Sequence, residues 1–131
     1  MTKIGQFNFE EFTANSGRVV PTINLSSSGF SLSAGFTKKY DFTKLVGVKM
    51  FYDKEKKAVG FAFRDRNEDG LLKVKLAPNK GGGSIKSKEF LIKYGINARQ
   101  FQGKYEPQEF LQGLQKIFVI QLKVSDAWLK F

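Results

Sequence analysis

The sequence predicts an α+β domain built on a twisted, mainly antiparallel sheet with one to three short helices. Three observations carry that expectation. Six short segments, VVPTINL, SGFSLS, VGVKMFYD, AVGFAFR, LLKVKLA and IFVIQLKV, are rich in β-branched and aromatic residues and partly alternate apolar with polar. Turn-forming residues separate them: Ser28-Gly29 between the first two, Asp53-Lys54-Glu55-Lys56-Lys57 between the next pair, and Asn67-Glu68-Asp69-Gly70 after AVGFAFR, so the chain reads as a series of antiparallel hairpins. Helical patterning is sparse. A short turn of helix fits Thr37 to Leu45, and SKEFLIKYG reads as a helix capped by Ser87, with Phe90, Leu91 and Tyr94 facing the core and Gly95 ending it. Glu106-Pro107-Gln108-Glu109-Phe110-Leu111 reads as a helix start with proline in the first turn, weakened by Gly113. Ile117-Phe118-Val119-Ile120 fits either a central strand or a strand at an interface.

A chain of 131 residues is the size of one domain, and 41% hydrophobic residues suffice for a core. Cysteine is absent, which excludes a disulfide framework, thiolate-bound zinc and a thiol nucleophile. Histidine is absent too, and with it go imidazole bases, Ser-His pairs and His-liganded metals. The expectation is a protein without catalytic activity, cofactor or metal. No apolar run approaches the roughly 20 residues of a membrane span, and the opening MTKIGQFNFEEFTA lacks the basic-then-apolar order of a signal peptide. A soluble, intracellular protein is expected. No basic amphipathic helix stands out, which ranks a membrane surface below nucleic acid as a partner.

The formal charge of +10 points to an anionic partner, and nucleic acid leads the candidates. Its distribution is uneven. Lys3 and Arg18 cancel Glu10 and Glu11 near the start, while Lys116, Lys123 and Lys130 cancel Glu106, Glu109 and Asp126 near the end. The whole excess lies between Lys38 and Lys104, where 17 basic residues face 7 acidic ones.

Two stretches resemble ligand loops. Asp65-Arg66-Asn67-Glu68-Asp69-Gly70 has the opening of a calcium loop, but the required bidentate glutamate is replaced by Leu76, which leaves a hairpin turn and no metal. The carboxylates elsewhere are too scattered for a two-metal nuclease. In Pro78-Asn79-Lys80-Gly81-Gly82-Gly83-Ser84-Ile85-Lys86-Ser87-Lys88, three glycines allow backbone amides to approach an anion beside Lys80, Lys86 and Lys88. A flexible connection with incidental lysines is the alternative, and the spacing does not fit a nucleotide-binding P-loop.

Strand alternation sorts the aromatic residues. Val46, Val48, Met50 and Tyr52 share one face of their strand, and Lys49 and Phe51 the other. An aromatic ring beside lysines on an exposed sheet face suits a stacked base with its phosphate neutralised. Phe51 is therefore the leading stacking candidate, ahead of Tyr40 and Tyr105. Val59, Phe61 and Phe63 fit the core with Arg64 opposite, and Leu72, Val74 and Leu76 point away from Lys73 and Lys75. The candidate nucleic-acid-binding set is Lys49, Phe51, Lys54, Lys56, Lys57, Arg64, Arg66, Lys73, Lys75, Lys80, Lys86 and Lys88.

The sequence as a whole, particularly GVKMFYDKEKKAVGFAF and NKGGGSIKSKEFLIKYGI, resembles the small single-stranded-DNA-binding proteins of archaeal rod-shaped viruses, the rudiviruses. That resemblance implies a dimeric mixed α and β fold that is not an oligonucleotide-binding barrel. It also implies a role in viral genome replication or recombination in the cytoplasm of the infected host, alongside viral replication or recombination proteins. The segment TINLSSSGFSLSAGFTKKYDFTKLVGVKMFYDKEKKAVGFAF is similar to swapped-hairpin transition-state regulators, which bind duplex DNA as dimers, with Ser33-Ala34-Gly35 standing where those carry a helix-opening proline. The leading expectation is a homodimer that binds single-stranded DNA with little sequence preference. The alternatives are a dimeric duplex-binding transcriptional regulator and a DNA-condensing virion or structural protein.

Overall fold

The computed structural model describes residues 20–125 and the backbone of Thr2–Ile4 and Phe7–Phe9. Glu10, Glu11, Arg18, Asp126 and Lys130, which enter the charge balance at the two ends, lie outside the described residues. Strands β1 (Thr2–Ile4) and β2 (Phe7–Phe9) pair antiparallel. The turn signal at Ser28-Gly29 closes a hairpin of β3 (Ile23–Ser26) and β4 (Gly29–Leu32), in register Leu25 to Phe30. Ser33 then caps helix α1 (Ala34–Lys39), its hydroxyl accepting from the Phe36 amide at 3.1 Å. The helix thus starts earlier than the expected Thr37 and ends before Tyr40, because the cap is built into the end of β4.

Alternation in the next two segments gives β5 (Gly47–Asp53) and β6 (Ala58–Arg64), joined by the expected lysine-rich turn. Asp53 holds that turn, its carboxylate accepting from the Glu55 and Lys56 amides. The expected third hairpin does not form. After Asn67-Glu68-Asp69-Gly70, Leu72 exchanges both backbone hydrogen bonds with Val48 of β5, and the chain then enters β7 (Val74–Leu76) in a different sheet. A side chain at Gly47 would place its Cβ 2.8 Å from the Leu72 carbonyl, so glycine permits this crossing.

A 3₁₀ turn at Pro78–Lys80 leads to β8 (Gly83–Ile85), helix α2 (Lys88–Lys93) and helix α3 (Ala98–Phe101). Helix α2 ends at Gly95, φ +61°, where the Gly95 and Ile96 amides donate to the Ile92 and Leu91 carbonyls as in a Schellman motif. Phe90 and Leu91 are buried as expected, but Tyr94 is 40% exposed. Ser87 is not the side-chain cap of α2: its buried hydroxyl accepts from the Phe30 amide at 2.9 Å and donates to the Ile85 carbonyl at 3.0 Å, stitching β4 to the end of β8.

The last strands are β9 (Gly103–Tyr105), β10 (Gln108–Gln112) and β11 (Gln115–Gln121). The segment expected to start a helix after Pro107 is a strand. Gly113, φ +66°, turns the chain after Gln112, and β10 pairs along its length with β11, so tertiary pairing overrides the local helical preference. Ile117-Phe118-Val119-Ile120 lies in a central strand, between β10 and β6.

The fold is α+β, with two antiparallel sheets of order β10-β11-β6-β5 and β7-β8-β4-β3-β9, and no closed barrel among the described residues. Their inner faces meet in one core. Phe30 of the five-stranded sheet and Phe61 of the four-stranded sheet are nearly inaccessible and meet edge to face at 5.2 Å between ring centres. Phe36 of α1 closes one end against Phe63 and Phe118. Each sheet therefore keeps a second face directed away from the core.

Candidate nucleic-acid interface

The outward face of the four-stranded sheet is a trough. On its inner strand β6 the floor positions are Ala58 and Gly60, which add no bulk. Phe51 stands opposite Gly60 in register, and a Cβ at Gly60 would make ordinary contact at 3.5 Å with Phe51 and Ile117. Ile117 and Val119 of β11 continue the floor, and Phe110 of edge strand β10 forms the far wall. The open trough has a volume of about 1070 Å³, just above the roughly 300–1,000 Å³ usual for ligand sites. Its two rings are in water rather than in the core: Phe51 is 43% exposed and Phe110 51%. Lys56, Lys104 and Lys123 line the rim, with Asp53 and Glu106 among them.

The sequence-derived candidates fall into three places. Phe51 and Lys56 line the trough, and Lys54 and Lys57 share the turn with Lys56, although the Lys57 ammonium lies 5.4 Å over the Phe101 ring. At the opposite end of β5 and β6, Lys49 does share the Phe51 side, but Glu68 engages it at 3.3 Å and also lies 3.5 Å from Arg64 Nε. Arg64 further donates to the Gln115 side chain at 3.1 Å, and Arg66 is exposed in the loop that follows. The remaining lysines are elsewhere. Lys73, Lys75 and Lys86 belong to the β7–β8 edge of the five-stranded sheet, Lys80 to the 3₁₀ turn and Lys88 to the start of α2. The twelve residues do not line one groove.

The glycine-rich loop is used internally. The Gly82 amide donates to the Thr37 hydroxyl at 3.0 Å, Thr37 donates to the Lys80 carbonyl at 2.8 Å, and the Gly81 amide donates to the Pro78 carbonyl. A Cβ at Gly82, φ +99°, would lie 2.6 Å from the Leu32 carbonyl. These glycines let the loop pack against α1 and β4, and the Gly81 and Gly82 amides are not free to cradle an anion.

Both tyrosine candidates are likewise engaged. Tyr105 is buried, and its hydroxyl donates to the Phe101 carbonyl and accepts from the Lys123 amide; burial raises its pKa. Tyr40 packs on Phe36 and Phe118, with the Lys39 and Lys116 ammonium groups about its ring. Burial, and then the neighbouring Glu109 carboxylate, push its hydroxyl up to about 12. Glu109 is held below its usual value by the hydrogen bond from Tyr40 and by Lys116, 3.3 Å away.

Sequence reasoning missed Phe110, Lys104 and Lys123. The signal for Phe110 was present in QEFLQ-GL-QKIFVIQ, a polar-ended alternation joined through Gly113 to an evident strand. No protein-family model matches the chain, and the comparisons with curated proteins and with solved structures found no match either. The geometry speaks for itself. Among the described residues no group of three or more carboxylates is placed to hold a metal ion, and no helix is long and apolar enough to cross a membrane.

Proposed function

We propose that the protein binds single-stranded DNA in this trough, without catalysis and with little sequence preference. The observation that carries the reading is the pair of exposed rings, Phe51 and Phe110, on a sheet face whose rim carries Lys56, Lys104 and Lys123. Unstacked bases lie on the rings, which every base can do through its π face, while the lysines neutralise phosphates and release counterions. A duplex offers no free base face to such a surface. The protein acts as a homodimer, in which two troughs gain avidity on one strand. The resemblance to rudiviral proteins supports a role in viral genome replication or recombination in the host cytoplasm.

Competition between single-stranded and duplex oligonucleotides of equal length and sequence, at moderate salt, tests the central claim. Single strand should win clearly. Equal affinity would remove stacking and favour a duplex-binding regulator, and a monomer mass by light scattering would remove the dimer.

A further inference from the structure

The five-stranded sheet also turns one face outward, and strand register assembles it. Lys75 stands opposite Ser84, Ser84 opposite Ser31, Ser31 opposite Asn24, and Asn24 opposite Lys104, so one row crosses all five strands. Each of these side chains offers a hydrogen-bond donor. At the β7 end, the Lys86 amide donates to the Lys73 carbonyl at 3.0 Å, and alternation puts both side chains on the side of Lys75 and Ser84. Among the described residues, no ion pair involves Lys73, Lys75, Lys86 or Lys104; the pairs are Lys49 and Arg64 with Glu68, and Lys116 with Glu109. The aromatic residues of these strands, Phe30 and Tyr105, point inward and are buried.

We infer that this face is a second DNA surface, which takes phosphates and no bases and extends the path of a strand leaving the trough. The inference rests on the proposed function of the trough. Two features commit it to nucleic acid. The charge is positive and unpaired where a phosphate chain would run, with donors spaced along the row over about 19 Å, four strand spacings. The row is also continuous with the trough, because Lys104 ends the row and lines the trough rim. Glu106, at that same rim, is the acidic neighbour at this edge. Lacking rings, the face gains affinity mainly from its lysines through counterion release, so its contribution depends on salt and on the length of the strand.

The experiment compares a short oligothymidylate of about six nucleotides, near the lower end of known single-strand site sizes, with a long one of about twenty, beyond their upper end. Fluorescence anisotropy at several salt concentrations is recorded for the unaltered protein, for the K73A/K75A/K86A variant and for the F51A/F110A variant, with melting temperatures as the folding control. The lysine variant should bind the short strand as before, and its salt slope for the long strand should fall by about 2, roughly 0.7 for each lost contact. An unchanged slope for the long strand overturns the second surface and leaves the trough standing, as does an equal loss for both lengths. Unchanged short-strand binding by F51A/F110A overturns the trough instead. Amine-reactive labelling of the unaltered protein reads the same point without variants: Lys73, Lys75 and Lys86 should be protected by the long strand and not by the short one. Equal labelling with and without the long strand would also overturn the inference.

Discussion

The two outward faces share one core and one backbone geometry, yet alternation fills them differently. On the four-stranded sheet, Phe51, Ala58, Gly60, Ile117, Val119 and Phe110 form an apolar centre on the outward face, flanked by Asp53, Gln108, Gln112 and Gln121 and, towards the far end, by Lys49 and Arg64. On the five-stranded sheet the outward residues are Lys75, Ser84, Ser31, Asn24 and Lys104. A face meant only for water is ordinarily built like the second. Leaving apolar surface exposed forgoes about 25 cal/mol for each Å² that burial would have gained, and that cost, at two rings over a floor of small residues, is what the proposed binding of bases would recover. The polar face carries no such cost, and only its unpaired lysines mark it.

The comparison can be broken at the core. Phe61→Ala removes a ring that packs under both faces, and the loss of stability by chemical denaturation should be about 3–5 kcal/mol. Both faces should lose function together as the fold is lost. Phe51→Ala sharpens the contrast instead: with the ring on the trough side, binding should weaken by about 1–3 kcal/mol, while the salt slope and melting temperature stay near those of the unaltered protein. A core-sized drop in melting temperature with normal binding of the folded variant would take Phe51 out of the site.

The smallest expected effect is a titration on the inner side of β10. Because the Tyr40 hydroxyl is pushed up to about 12, Tyr40 is protonated in both folded and unfolded chains below about pH 10. Its stabilising contribution is then fully present, and it is lost as pH rises from there through the folded value. Ultraviolet titration should show Tyr40 ionising late, with the buried Tyr105 also delayed, and Glu109→Gln should bring the Tyr40 step down without altering the trough. Ionisation of all tyrosines together near pH 10 would contradict the geometry around Tyr40.

The parts legible in the sequence were those that local pattern decides. Val48, Met50 and Tyr52 alternate with Lys49 and Phe51, so the exposed ring could be placed before its sheet was known. Most of β5, β6 and β11 was visible for the same reason. Phe110 was hidden because QEFLQ after a proline satisfies helical preferences, and only pairing with β11 decides its conformation. The division of the lysines was hidden for a different reason. Lys49, between Val48 and Met50, and Lys75, between Val74 and Leu76, have similar neighbours in sequence, and whether they share a face depends on the crossing at Leu72, which no local signal announces. The glycines of the 3₁₀ loop were read as available amides, but their partner, Thr37, lies about 45 residues earlier in the chain.

The register of β3 has a consequence for how the protein is made. Ile23 pairs on one side with Leu32, a near neighbour, and on the other with Tyr105, about 80 residues later. During synthesis the β3–β4 hairpin can close early, but both of its outer edges stay open until β8 and β9 have left the ribosome. Contacts of such long range slow folding, and open strand edges invite pairing with other nascent chains. The serine-rich turn and polar outward residues of that hairpin keep it soluble through this interval, so the face inferred to guide phosphates also shields the chain before it is complete.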